Sequence, residues 1–121
     1  MRAPAKDALK KLAAEARLAF EADNIAPVLL EDLYTHYNPE VKDVAGFIKK
    51  ASGLFPTANC GITSLYLQHK LKAGEIINGT YGSNGHTFLL IDTLVVDITA
   101  DQFGGPSVYV GSLEKPWASA K

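Results

Sequence analysis

Apolar residues recur every three or four positions in the first half of the chain and crowd into short runs in the second. Leu9, Leu12, Ala16 and Phe20 trace one side of a helix over Ala5 to Ala22, with Lys10, Lys11, Glu15 and Arg17 on the other side. Asp23-Asn24 interrupts it. Ala26-Pro27 opens a second helix, Val28 to Tyr34, with the proline tolerated in the first turn. His36-Tyr37-Asn38-Pro39 reads as a turn. A third helix, Glu40 to Ala51, gathers Val41, Val44, Phe47 and Ile48, and ends at Ser52-Gly53, where the glycine fits a left-handed cap. After a loop from Leu54, a fourth helix begins around Cys60 and runs to about Lys72. Ile62, Leu65, Tyr66 and Leu71 lie on its apolar face, and Ala73-Gly74 closes it.

Beyond residue 74 the pattern changes to strands. Glu75 to Tyr81 is the first, and Gly82-Ser83-Asn84-Gly85 a loop. His86 to Ile91 and Leu94 to Thr99 form a hairpin about Asp92-Thr93. The hairpin strands are continuously apolar in their middles, so both faces of the sheet are expected to be covered. Ser107 to Gly111 is a last short strand, followed by a loose tail. Helices first and antiparallel strands later define an α+β class. Residues 1–121 read as one domain: a helical part over 1–53, a core over 54–111 and a tail over 112–121.

Composition narrows the function classes. Twelve Lys and Arg against thirteen Asp and Glu leave no basic stripe, so no nucleic-acid partner is expected. No apolar run approaches the ~20 residues of a membrane span, and the N-terminus lacks a signal peptide's apolar stretch. A single cysteine cannot form an internal disulfide and points to a reducing compartment. The expected location is cytoplasmic, or outside after export without a cleaved signal. Composition says nothing of oligomeric state.

That cysteine carries the chemical argument. A thiol in the first turn of a helix sees unpaired N–H groups and the positive end of the helix dipole, which favour the thiolate. With a two-residue loop at Asp92-Thr93, Ile91 faces Leu94, Phe88 faces Asp97 and His86 faces Thr99. His86 and Asp97 then share one face of the hairpin as diagonal neighbours, roughly 7–8 Å apart along the backbone. Cys60 as nucleophile, His86 as proton carrier and Asp97 as orienting carboxylate form a possible triad. Helix-head N–H groups are candidate oxyanion donors, with Asn59 or Thr57 beside them, and Gln102 and Asp101 stand near the exit of the aspartate strand.

Each residue also has a plainer reading. A lone cysteine is often a small buried apolar group, and a histidine at a strand mouth is often an edge residue. Asp97 in an apolar strand is costly to bury unpaired, and its plainer role is to cap N–H groups of the Thr99-Ala100-Asp101 turn. His36 and His69 read as surface residues and Asp92 as a turn residue.

The stretches Asn59-Cys60-Gly61-Ile62-Thr63-Ser64-Leu65, His86-Thr87-Phe88-Leu89-Leu90-Ile91 and Val95-Val96-Asp97-Ile98-Thr99-Ala100-Asp101-Gln102-Phe103 resemble the nucleophile helix, histidine strand and aspartate strand of the transglutaminase-like branch of papain-like cysteine enzymes. Arylamine N-acetyltransferases share this core and a similar strand pattern. The resemblance covers about residues 54–110. It implies a papain-like core with the nucleophile helix packed on a small antiparallel sheet, and acyl transfer through a thioester on a peptide, protein or small amide, with no cofactor and no metal. The family hydrolyses amides, deamidates glutamine or transfers acyl groups to amines. This chain departs from it in a tighter histidine-to-aspartate hairpin and in having no tryptophan before Cys60; its single tryptophan, Trp117, is in the tail. Two other readings compete: a non-catalytic binding or inhibitory domain that keeps the fold, and a zinc site using Cys60, His86 and Asp97, disfavoured because no two ligands are closely spaced.

Overall fold

The computed structural model describes residues 5–119. The readings made at the extreme N-terminus and at residues 120–121 lie outside the described residues. Four helices precede the strands: α1 (Lys6–Glu21), α2 (Pro27–Tyr37), α3 (Val44–Ser52) and α4 (Cys60–Leu71). The strands are β1 (Glu75–Tyr81), β2 (Asn84–Ile91), β3 (Leu94–Asp97), β4 (Tyr109–Ser112) and β5 (Trp117–Ala118), with a 3₁₀ turn over Ala100–Phe103 between β3 and β4. They form one antiparallel sheet in the order β4-β3-β2-β1-β5. The class is α+β. Among the described residues no helix is long and apolar enough to cross a membrane.

Helix ends show where local chemistry overrides the periodic pattern. α2 runs to Tyr37 rather than Tyr34 and stops at Asn38, because Pro39 disfavours the helical conformation in the residue before it. α3 starts at Val44 rather than Glu40, since the Asp43 carboxylate accepts from Gly46 N–H at 3.0 Å and sets the cap. Gly53 stays right-handed at φ −76°, so it is not a left-handed cap. The left-handed cap of α4 falls on Lys72, at φ 52°.

α4 is central. Every residue from Ile62 to Leu67 is buried, so it has no single apolar face; apolar neighbours surround its middle turns. In α1 the buried stripe is Leu9, Ala13, Ala16 and Arg17. Arg17 therefore does not belong to the solvent side, as its charge suggests.

Two apolar layers cover the sheet, as the apolar hairpin strands predict. Leu89 and Ile91 of β2, Val96 of β3 and Val110 of β4 pack with Ile62, Tyr66 and Leu67 of α4 and with α1. On the other face Phe88, Val95, Ala100 and Trp117 pack with Ile77, Tyr81, Leu90 and Tyr109. The ladder Ile91↔Leu94, Leu90↔Val95, Leu89↔Val96 is the register of a two-residue loop at Asp92-Thr93. β3 ends at Asp97, two residues short of the expected Thr99, and the chain bends into the 3₁₀ turn. β2 thus outruns its partner and leaves an open fork at Thr87.

The tail is not loose. Trp117 pairs with Tyr81 and Ala118 with Thr80, so β5 extends the sheet beyond β1. Gly79 permits this: a Cβ there would collide with the carbonyl oxygen of Ala118.

Candidate active site

Cys60 is the first residue of α4 and fills the fork between β2 and β3. The first-turn carbonyls are held from inside the helix. Ser64 Oγ donates to Cys60 O at 2.6 Å, and Thr63 Oγ1 to Asn59 O at 2.9 Å. Ser64 Oγ also lies 3.4 Å from Thr87 O, which ties the helix to β2 where β3 has left it. The first intrahelical bond here is Thr63 N–H to Asn59 O. The N–H groups of Cys60, Gly61 and Ile62 precede it and so have no partner within the helix. Just upstream, Ala58 is held at φ 66°, a strained conformation for a residue with a side chain.

His86 Nε2 lies 2.7 Å from Asp97 Oδ2. The histidine side chain is 0% exposed and that of Asp97 2%, so the bond is shielded from water. Asp97 is fully satisfied. Its Oδ1 accepts from Thr99 N–H at 2.9 Å and from Thr99 Oγ1 at 3.3 Å, and its Oδ2 accepts a second bond from Trp117 Nε1 at 2.8 Å. The turn-capping role and the histidine-orienting role thus coexist, one on each oxygen. An ionised carboxylate only accepts, so Nε2 carries the hydrogen. That leaves Nδ1, which is buried and has no partner at full hydrogen-bond geometry. Cys60 is the group near enough to act on the ring, and each residue shifts the other's protonation.

Those shifts have opposite directions. Burial pushes the Cys60 thiol up, but interaction with His86, the backbone and side chain of Thr87 and the charge on His86 outweigh it, and the thiol ends below its ordinary value. Burial pushes His86 down, but the hydrogen bond to Asp97, interaction with Cys60 and the charges of both raise it to about 9. The arrangement favours a thiolate beside an imidazolium. Cys60 is partly exposed and is the member of the trio that meets solvent.

Aromatic rings close the other sides of His86. Phe103, from the 3₁₀ turn, meets it edge-on at 5.2 Å between centroids, and Tyr81 at 6.2 Å. Tyr81 stacks on Phe103 at 5.7 Å and meets Trp117 edge-on at 5.0 Å. This wall is built by Phe103, from the 3₁₀ turn, and Tyr81, the last residue of β1. A side chain at Gly61 would find open space within 4 Å, so the approach to the helix head is unobstructed there.

Other expected residues have different duties. Asn59 is not available as a side-chain oxyanion donor: its Nδ2 donates to both Ala51 O and Thr57 O at 2.8 Å, which fixes the entry loop. Gln102 Nε2 donates to Thr99 O at 3.1 Å, within the turn that holds Asp97. Asp101 receives a bidentate bond from Arg17, with Nη1 at 2.7 Å and Nη2 at 2.8 Å. His36 and His69 are exposed. Among the described residues no group of three His, Cys, Asp or Glu is placed to hold a metal ion.

Two contributors are not among the residues expected at the site. Trp117 comes from the tail to the Asp97 carboxylate. Arg17, from α1, donates to Ile98 O at 2.8 Å and braces the chain between Asp97 and Asp101, with its guanidinium 4.7 Å from the Phe55 ring centroid. Family models, curated proteins and solved structures gave no match to this chain.

Proposed function

We propose that this protein is a cysteine-dependent acyl-transfer enzyme with a papain-like arrangement of Cys60, His86 and Asp97. The observation that carries the reading is the 2.7 Å bond from His86 Nε2 to a carboxylate that is itself held by other donors, with Nδ1 free to act on the sulfur at a helix head. A structural histidine would have both nitrogens satisfied.

The reaction follows from these groups. The Cys60 thiolate adds to the carbonyl carbon of an amide, and the carbonyl electron pair moves onto oxygen. The N–H groups of Cys60 and Gly61 stabilise the oxyanion. The tetrahedral adduct collapses, the C–N bond breaks, and His86 gives its Nδ1 proton to the departing amine, leaving a thioester on Cys60. Water or a second amine then adds to the thioester carbon, His86 takes its proton, and the thiolate leaves. Asp97 stays ionised and keeps the ring's hydrogen on Nε2. Water as acceptor gives hydrolysis or deamidation, and an amine gives transamidation. The substrate is a peptide, protein or small amide.

The test is the pH dependence of Cys60 alkylation by iodoacetamide, followed by intact mass. The reading expects a midpoint clearly below the ordinary thiol value of ~8.5 and a higher midpoint in His86→Ala. A wild-type midpoint at the ordinary value rules out the enzyme and leaves a binding domain that has kept the fold.

A further inference from the structure

Trp117 is the only tryptophan in the chain, and it is 5% exposed. Its indole stacks on Tyr109 at 3.8 Å between centroids and meets Tyr81 edge-on at 5.0 Å. Such packing fixes the ring plane on two sides. The ring's single donor, Nε1, then points at Asp97 Oδ2, the oxygen that also accepts from His86. A buried indole N–H needs an acceptor. Asp97 is not the only way to satisfy one, because neighbouring strands offer carbonyls.

β5 is held to the sheet by two paired residues, Trp117 and Ala118, and its turn is closed by Trp117 N–H to Glu114 O at 2.9 Å and Gly82 N–H to Pro116 O at 2.8 Å. The chain end is therefore docked so that one indole N–H meets one carboxylate oxygen.

We propose that Trp117 is a positioning residue of the Cys60–His86–Asp97 site, acting through Asp97 to hold Oδ2 in line with His86 Nε2; this rests on the triad reading above. Thr99 fixes Oδ1 from the chain just after β3, and Trp117 fixes Oδ2 from the far edge of the sheet. With both oxygens held, the carboxylate has one rotation in which it can accept from His86. Without the indole donor, a buried oxygen loses a charge-assisted bond. The carboxylate can then turn out of line with His86, and a misaligned carboxylate is a weaker partner for the imidazolium, and the imidazolium a weaker partner for the thiolate.

The uniqueness of Trp117 gives a clean experiment. Expression in a tryptophan auxotroph fed 3-benzothienylalanine replaces the indole N–H by sulfur and changes this one position, keeping ring size and stacking. Trp117→Phe is a second variant, and Asp97→Asn a reference. The readout is the alkylation midpoint of Cys60, with thermal melting alongside. The proposal expects both Trp117 replacements to raise the midpoint by about one pH unit, as loss of a bond to a charged group would, in the direction of Asp97→Asn. The benzothienyl protein should do so with its melting temperature little changed. A depressed wild-type midpoint that stays put in the benzothienyl protein overturns the positioning role and leaves the triad intact. An ordinary midpoint in the wild type overturns both. If Trp117→Phe does not fold, the benzothienyl protein alone decides.

Discussion

His86 and Asp97 meet across a fork in the sheet, Nε2 to Oδ2 at 2.7 Å, with both side chains sealed from water. The bond forms where regular pairing has stopped: the ladder ends at Leu89↔Val96, and the carboxylate turns toward the ring while the backbone bends away into the 3₁₀ turn. Asp97→Asn keeps the shape but removes the charge, and a carboxamide can place its NH₂ toward the ring and impose the other tautomer. The acylation rate of Cys60 on an activated ester should fall by about 10³–10⁴-fold, as in other triads. Stopped-flow measurement of the thioester burst checks this. A loss under tenfold would remove Asp97 from the reacting group.

The charge state of the pair has a signature in stability. His86 is raised to about 9 in the fold. Its contribution is fully present below its unfolded value, ~6.5, and is lost as pH rises through about 9. Cys60 is lowered, so its contribution is present above its unfolded thiol value and is lost as pH falls through its folded one. Over the interval between, the two slopes have opposite signs and offset each other. Cys60→Ala removes one of them, and Asp97 still holds His86 up. The variant should lose more stability than wild type as pH rises from 6.5 to 9, because the offsetting Cys60 slope is gone. Urea midpoints across that range test it; parallel curves would mean that the fold does not lower the Cys60 thiol.

Arg17 braces the aspartate turn from α1, and its side chain is 11% exposed. Arg17→Met keeps the apolar stem but leaves Asp101, Ile98 O and Glu21 without their donor. Asp101 and Glu21 are partly solvated, so the loss should be about 2–3 kcal/mol, below that of a fully buried pair. Chemical denaturation measures it, and Asp101→Asn should cost less because one acceptor oxygen remains.

At Gly79 the backbone of Ala118 in β5 leaves no room for a Cβ. Gly79→Ala should lift β5 off the edge and draw Trp117 away from Asp97. The lone tryptophan makes this visible, as a red-shifted, more accessible emission in a chain that otherwise melts cooperatively. Emission unchanged from wild type would show that the edge can absorb the methyl group without moving Trp117.

The hairpin and its register were legible because Asp92-Thr93 between apolar runs permits few alternatives, and one register places His86 and Asp97 on one face. Cys60 at a helix head was legible from the loop-to-periodic boundary. Trp117 was not, because a tail rich in Lys, Pro and Ser gives no local sign that its indole packs against Tyr109, though a lone tryptophan with an N–H to satisfy was a hint. The charge of Arg17 suggests the solvent side, whereas its spacing from Leu9, Ala13 and Ala16 puts it on the buried stripe; its partner Asp101 is 84 residues away. Asn59 looked like a donor for substrate because it precedes Cys60; only the folded loop shows both its hydrogens engaged.

The partly exposed Cys60 beside a sealed ring and carboxylate makes this residue a gate for protons as well as for reagents. Capping the sulfur with a bulky disulfide should slow isotope exchange at the imidazole. A histidine-directed acylating agent should modify the exposed His36 and His69 but leave His86 untouched until the fold opens.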